Sequence, residues 1–140
     1  MQIKRLGPPD AQTLLEAAYL FDAPPIENAV LAYLQDERNI FLLALEDRRP
    51  VGFLRGTALT QVSSERRQMF IYEIGVAAAS RRQGVGTALV RALLEHCRAE
   101  GFEEAFVLAN PENDAAVHLY RSTGAVHETP ADRMFVYRLD

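Results

Sequence analysis

Residues 72–97 read YEIGVAAASRRQGVGTALVRALLEHC, and the rest of the chain is organised around them. Met69, Phe70, Ile71, Tyr72, Ile74 and Val76 are mostly β-branched or aromatic and predict a strand leading in. Gly75 interrupts that run, as glycine does at a bulge or where another backbone or a ligand comes close. Further on, Val85, Leu89, Ala92, Leu93, His96 and Cys97 recur at helical spacing. Gly101 is placed to end that helix.

Between strand and helix lie Arg81, Arg82, Gln83, Gly84, Val85, Gly86 and Thr87. The first amides of a helix have no partner within it and carry the positive end of its dipole. Glycines clear side chains away from those amides, and two arginines add full charge. This is a site for a phosphate or pyrophosphate. The competing reading is an ordinary loop whose arginines serve solubility. The P-loop pattern is absent, because no lysine follows the second glycine. The dinucleotide pattern GxGxxG fails as well, since Leu89 stands where its third glycine belongs.

At 140 residues, with 49% hydrophobic and 24% charged residues, the chain reads as one domain, 1–140, with a core of its own. A net charge of −4 argues against nucleic acid as a partner. No apolar run is long enough to span a membrane, and the first residues, MQIKRLGPPD, lack the apolar centre of a signal peptide. The one cysteine, Cys97, lies on the apolar helix face. With no intrachain disulfide available, the expected location is cytoplasmic. His96, His118 and His127 show no metal-ligand spacing, so no metal is expected.

Taken in order, the chain predicts a strand over 2–6, helices over 11–21 and 26–36, and strands over 39–45 and 51–60. The loop 61–67, the central strand and the long helix follow. A strand over 103–108, a breaker at 110–114 and a helix over 115–122 come next. Two strands, 125–128 and 133–139, would close the chain; Asp10 is placed to cap the first helix. The order βααβββαβαββ is mixed α/β. It implies a mostly antiparallel sheet of six or seven strands, about four helices and one parallel crossover.

A second motif lies in residues 113–124, NDAAVHLYRSTG. Asn113, Ala116, Leu119, Tyr120 and Gly124 match the pattern N-x-x-A-x-x-L-Y-x-x-x-G. With RRQGVG upstream, it resembles the two-part signature of the GCN5-related N-acetyltransferase (GNAT) superfamily. That resemblance implies the acyl-CoA N-acyltransferase fold and acetyl-CoA as cosubstrate. It implies that Ile74, Gly75 and Val76 pair with the pantetheine arm like an added strand. Arg81 to Thr87 would hold the pyrophosphate. Asn113 and Ala116 would meet the pantetheine, and Tyr120 would protonate the leaving thiolate. Two plainer readings stay open: Asn113 as a helix cap, and Tyr120 as a core aromatic.

The strings RLGPPDA, LFDAPP, FLLALED, VGFL and IYEIGV resemble, more narrowly, the small single-domain aminoglycoside 3-N-acetyltransferases. The loop at 110–115 departs from that family's pattern in carrying fewer acids, with its proline elsewhere. The narrower resemblance implies a small cationic amine as acceptor, an aminoglycoside, and a homodimer. Acids would then line the acceptor site, and the candidates are Asp22, Asp36, Glu73, Glu112 and Asp114. Glu73 is the candidate base; it also reads as a solvent-facing strand residue or half of an internal salt bridge. Acetylation of a peptide amine, and a non-catalytic acyl-CoA-binding module, are the alternative functions.

Overall fold

The chain lays its strands side by side in sequence order. In the computed structural model, which describes residues 1–127 and 132–139, these are β1 (Gln2–Arg5), β2 (Asn39–Glu46), β3 (Arg49–Leu59), β4 (Gln68–Val76) and β5 (Glu104–Val107). The first three junctions are antiparallel and β4–β5 is parallel. A parallel pair needs a crossover, and α3 (Val85–Ala99) supplies it. It ends at Gly101 (φ 73°), where Phe102 N–H reaches Cys97 O at 2.9 Å.

Side chains of β2 alternate between two layers, which is why its residues 40–44 are all apolar and all buried. Ile40, Leu42 and Ala44 join Leu54, Ile71, Val85, Leu89 and Leu93 on the α3 side. Phe41 and Leu43 join Phe53, Leu14, Val30 and Leu34 beneath α1 (Ala11–Glu16) and α2 (Glu27–Gln35). Phe53 stacks between Phe21 and Phe41, with ring centroids 4.3 and 5.5 Å away. On the α3 side, α4 (Asp114–Ser122) lies against the first turn of α3, where a Cβ on Gly86 would stand 3.2 Å from Leu119.

The structure corrects three expectations. The first helix stops at Glu16, because Ala17 N–H bonds Leu14 O at 3.0 Å and the chain tightens into a 3₁₀ turn over Ala18–Leu20. Asp10 does not cap α1. Its carboxylate accepts from Gly7 N–H at 2.8 Å and from Lys4 Nζ at 3.2 Å, and the Gly7 bond holds its pKa below the usual carboxylate value. Finally, the sheet has five strands among the described residues, where six or seven were expected. Residues 125–127 and 132–139 form no strand, and residue 128 lies outside the described residues. Phe135 and Tyr137 are each 86% exposed and Leu139 is 92% exposed. Alternation gives a segment two faces, but it supplies no neighbouring strand to pair with.

Gly56 sits where the β3–β4 register shifts, and a Cβ there would stand 2.7 Å from the Phe70 carbonyl oxygen. Backbone cannot swing aside as a side-chain tip can. Gly56→Ala is therefore expected to cost about 1–3 kcal/mol and several degrees of Tm. Thermal unfolding of the purified variant measures this.

Candidate active site

The site begins where two strands part. β4 and β5 pair only over Gln68–Ile71 and Glu104–Val107. Past that point β4 keeps its β3 partner, from Glu73 opposite Arg55 to Val76 opposite Gly52, but has no strand on its other side among the described residues. Ala77 N–H turns to β3, reaching Val51 O at 2.8 Å. Strand amides alternate in direction, so the Ile74 and Val76 N–H groups point to the open edge. An extended, amide-bearing arm fits such an edge as an added strand.

The loop that follows is tied down by its own side chains. Arg81 Nε donates to Val76 O at 3.3 Å, and Gln83 Nε2 donates to Ala79 O at 3.2 Å. Arg82 (φ 63°) and Gly84 (φ 83°) both take left-handed conformations. Gly84 is the N-cap of α3 and has no side chain to offer, and the first helical bond is Ala88 N–H to Gly84 O at 3.0 Å. The amides of Val85, Gly86 and Thr87 are left without helical acceptors. A diphosphate fits this cradle by charge and by donor count, with Arg82 exposed beside it.

The three motif glycines do different jobs. A Cβ on Gly84 would meet nothing within 4 Å, so glycine is there for its φ and for open access. Gly86 makes room for Leu119 of α4. Gly75 makes room for other parts of the protein: a Cβ there would stand 2.6 Å from the Phe53 ring and 3.2 Å from the Leu20 carbonyl oxygen. Val85 is 1% exposed and its side chain belongs to the core, leaving only its N–H for a ligand.

Glu73 reaches its place through a bulge. Arg55 pairs with Glu73 and the next residue, Gly56, pairs with Ile71, so Tyr72 is an extra residue in β4. Tyr72 and Glu73 consequently both meet Arg55. Arg55 Nε donates to Glu73 Oε1 at 2.7 Å, while its guanidinium carbon lies 4.3 Å from the Tyr72 ring centroid and 5.7 Å from that of Tyr33. The ion pair is about one-third exposed on both sides. Tyr33, from α2, has its hydroxyl 2.8 Å from Ile40 O and 3.0 Å from Gly56 O, and burial pushes its pKa up to about 12. Arg55 and Tyr33 were not singled out from sequence. The available signal was the position of Arg55 two residues after Phe53, on a buried face, where a charge needs a partner.

On α4, Asn113 caps the helix: its Oδ1 accepts from Ala116 N–H at 3.1 Å. That leaves the Asn113 amide N–H₂ for other use and commits the Ala116 amide to the cap. Tyr120 packs against the core beside α3, and burial raises its phenol pKa. The remaining acids divide. Asp22 is exposed two residues past the Leu20 carbonyl that abuts Gly75, at the same end of the sheet. Glu112 and Asp114 are exposed at the start of α4. Asp36 is not brought to this site. It precedes Asn39, whose row holds Thr57 and Phe70, and it lies with His96 and Glu100 near the far end of α3. Arg38 grips it through Nη2 at 2.8 Å and holds its carboxyl near a pKa of about 2. Cys97 is buried in the core, and burial pushes its thiol pKa up. No helix among the described residues is long and apolar enough to cross a membrane.

Gly84→Ala tests the cradle. The new methyl touches nothing, so the cost comes from the left-handed backbone alone, about 1–2 kcal/mol of stability. Relief of that strain would turn the α3 amides, and coenzyme A binding measured by calorimetry is expected to weaken about ten-fold. Unchanged affinity alongside lower stability would show that this turn does not shape the site.

Residues 9–125 match the acetyltransferase (GNAT) family. An aminoglycoside acetyltransferase from an uncultured soil metagenomic sample, solved in complex with sisomicin, superposes with a TM-score of 0.91 at 28% identity, covering 99% of this chain and 96% of that one. The probable N-acetyltransferase camello of Xenopus laevis is 29% identical over 103 residues, 74% of this chain and 44% of that protein. Mycothiol acetyltransferase of Streptomyces coelicolor is 30% identical over 132 residues, 88% of this chain and 41% of that protein. This chain thus spans less than half the length of these two curated relatives. Because the family match runs through the open edge of β4, the α3 cradle and α4, the chain belongs to the acetyltransferase (GNAT) family, whose acetyl donor is acetyl-CoA.

Proposed function

We propose that this chain transfers acetyl from acetyl-CoA to an amine of a small cationic substrate, an aminoglycoside, at its 3-amino group. The observation that carries the reaction is the open edge of β4, with a carboxylate at its start and a helix N-terminus at its end. The acceptor class is supported by the 28% identical, sisomicin-bound neighbour that aligns along 99% of the chain. The 3-amino position is supported by the narrower sequence resemblance. A homodimer would give the exposed Phe135, Tyr137 and Leu139 a surface to cover.

The thioester supplies an activated acyl group: a C–N bond forms, a C–S bond breaks, and one proton moves from nitrogen to sulfur. Glu73 receives the amine proton, directly or through one water, a role worth about 10²–10⁴-fold. The Val76 N–H, aimed at the open edge, donates to the carbonyl oxygen as charge gathers there. The α3 amides and Arg82 anchor the diphosphate, so the reacting ends meet without a covalent enzyme intermediate. Tyr120 returns a proton to the departing sulfur.

Acetyl-CoA-dependent thiol release with gentamicin, with a peptide amine and with no acceptor tests the reading. Turnover is expected with gentamicin alone. Coenzyme A binding without turnover on any amine would instead make the chain a binding module. Glu73→Gln is expected to lower kcat by about 10²–10⁴-fold while leaving coenzyme A affinity in place. Burial keeps the Tyr120 phenol protonated past its ordinary pKa of about 10. The alkaline fall in kcat that it controls is therefore expected above pH ~10, and Tyr120→Phe should remove it along with much of the rate. An unchanged pH profile in that variant would rule out the proton-donor role.

A further inference from the structure

The sheet face under α1 and α2 continues past β3 as a row of aromatic and acidic side chains. Ala105 and Val107 of β5 pack into the α3-side core, so strand alternation sends Glu104 and Phe106 to the opposite face. There Gln68 Nε2 donates to Glu104 Oε1 at 2.6 Å. One step along, Phe70 and Phe106 stack with ring centroids 5.0 Å apart and planes 11° from parallel. Next, Tyr72 meets Phe70 edge-on at 5.8 Å and carries the Arg55 guanidinium at 4.3 Å. Glu73 closes the row. Tyr72 is 60% exposed and Phe106 is 38% exposed, so the strip is open to a ligand.

We propose that this strip is the acceptor platform, and that it takes a polyamine built of several linked sugar-like rings. The inference rests on the reading of the chain as an amine N-acetyltransferase. The ring C–H faces lie on Tyr72, Phe70 and Phe106, the reacting amine meets Glu73, and a second ammonium group meets Glu104. Flat aromatic faces suit the C–H faces of saturated rings, and carboxylates at both ends suit a ligand with cations at both ends. Length narrows the class further. From the Gln68–Glu104 row to Glu73 is four rows of the sheet, the bulged Tyr72 adding no length, or about 13 Å. A single amino sugar cannot reach both acids, whereas three linked rings can. Arg55 offsets the charge of Glu73, whereas Glu104 has no ion pair among the described residues, so the stronger attraction for a cation sits at Glu104, away from the reacting amine.

The test uses wild type, Phe106→Ala and Glu104→Gln, each checked for an unchanged fold by circular dichroism. Gentamicin binding is followed by calorimetry with coenzyme A present, and thiol release is compared for gentamicin and the one-ring amine glucosamine. Phe106→Ala is expected to weaken gentamicin binding about ten-fold. Glu104→Gln is expected to weaken it several-fold and to flatten its salt dependence. In both variants kcat/KM should fall at least about five-fold more for gentamicin than for glucosamine. Gentamicin binding unchanged in both variants overturns the proposal. So does a wild-type dimer that Phe106→Ala converts to a monomer with undiminished gentamicin affinity, since the strip would then belong to a second copy of the chain. Strip-dependent gentamicin binding without thiol release supports the platform and sinks the acetyl-transfer reading. Turnover of gentamicin that is equal in all three proteins does the reverse.

Discussion

Everything at the site follows from the early parting of β4 and β5. Their parallel pairing lasts four rows and then stops, while β4 runs on for five more residues with only β3 beside it among the described residues. Unpaired backbone amides are costly when buried, so a stretch of open edge persists where water or a ligand can satisfy it. The same connectivity fixes the other half of the site. A parallel pair demands a crossover, so the chain leaving the carboxyl end of β4 must enter a helix there. The amino end of α3 is thereby delivered to the end of the open edge. The amide edge and the anion cradle are two consequences of one topological choice.

The extra residue in β4 is a second, smaller constraint with large effects. In a regular strand Tyr72 and Glu73 would face opposite ways. The bulge lets both meet Arg55, which is held from the far side by Tyr33 of α2. Gly56 and Gly75 make this possible on either side, because a Cβ at either would collide with Phe70 O or with the Phe53 ring. The packing of the aromatic layer beneath α1 and α2 and the aim of the candidate base are therefore coupled through β3.

Most of the fold could be read from the pattern of residues. The apolar period of Val85–Cys97, the glycine at 101 and the run at 40–45 each correspond to an element with clear physical cause. The breakdown of the first helix could not be read, because it depends on Ala17 bonding back to Leu14 inside a buried layer. The last strand could not be read either. Residues 134–139 alternate correctly, but pairing is a property of two segments, and one sequence window contains only one of them. At the site, the cradle was legible because backbone amides need no side-chain partner to be named. The roles of Gly75 and Gly86 were not, since their neighbours are Phe53, Leu20 and Leu119, distant in sequence. Asp36 shows the same limit: an acid counted toward the acceptor is held by Arg38 at the opposite end of α3.

Charge placement decides how Glu73 can act. A carboxylate 2.7 Å from a guanidinium nitrogen offers an approaching cation little net attraction, since each partner offsets the other. What the pair retains is direction: one Glu73 oxygen is occupied by Arg55, and the other has no hydrogen-bond partner among the described residues and keeps its capacity to accept one. A group of this kind is poorly suited to gathering a polycation from solution and well suited to receiving one proton from an amine already in place. Gathering the acceptor then falls to acids that form no ion pair among the described residues, at Glu104, at Asp22 and at the start of α4. Binding and proton transfer are divided between different residues, and the division follows from which carboxylate has an arginine beside it.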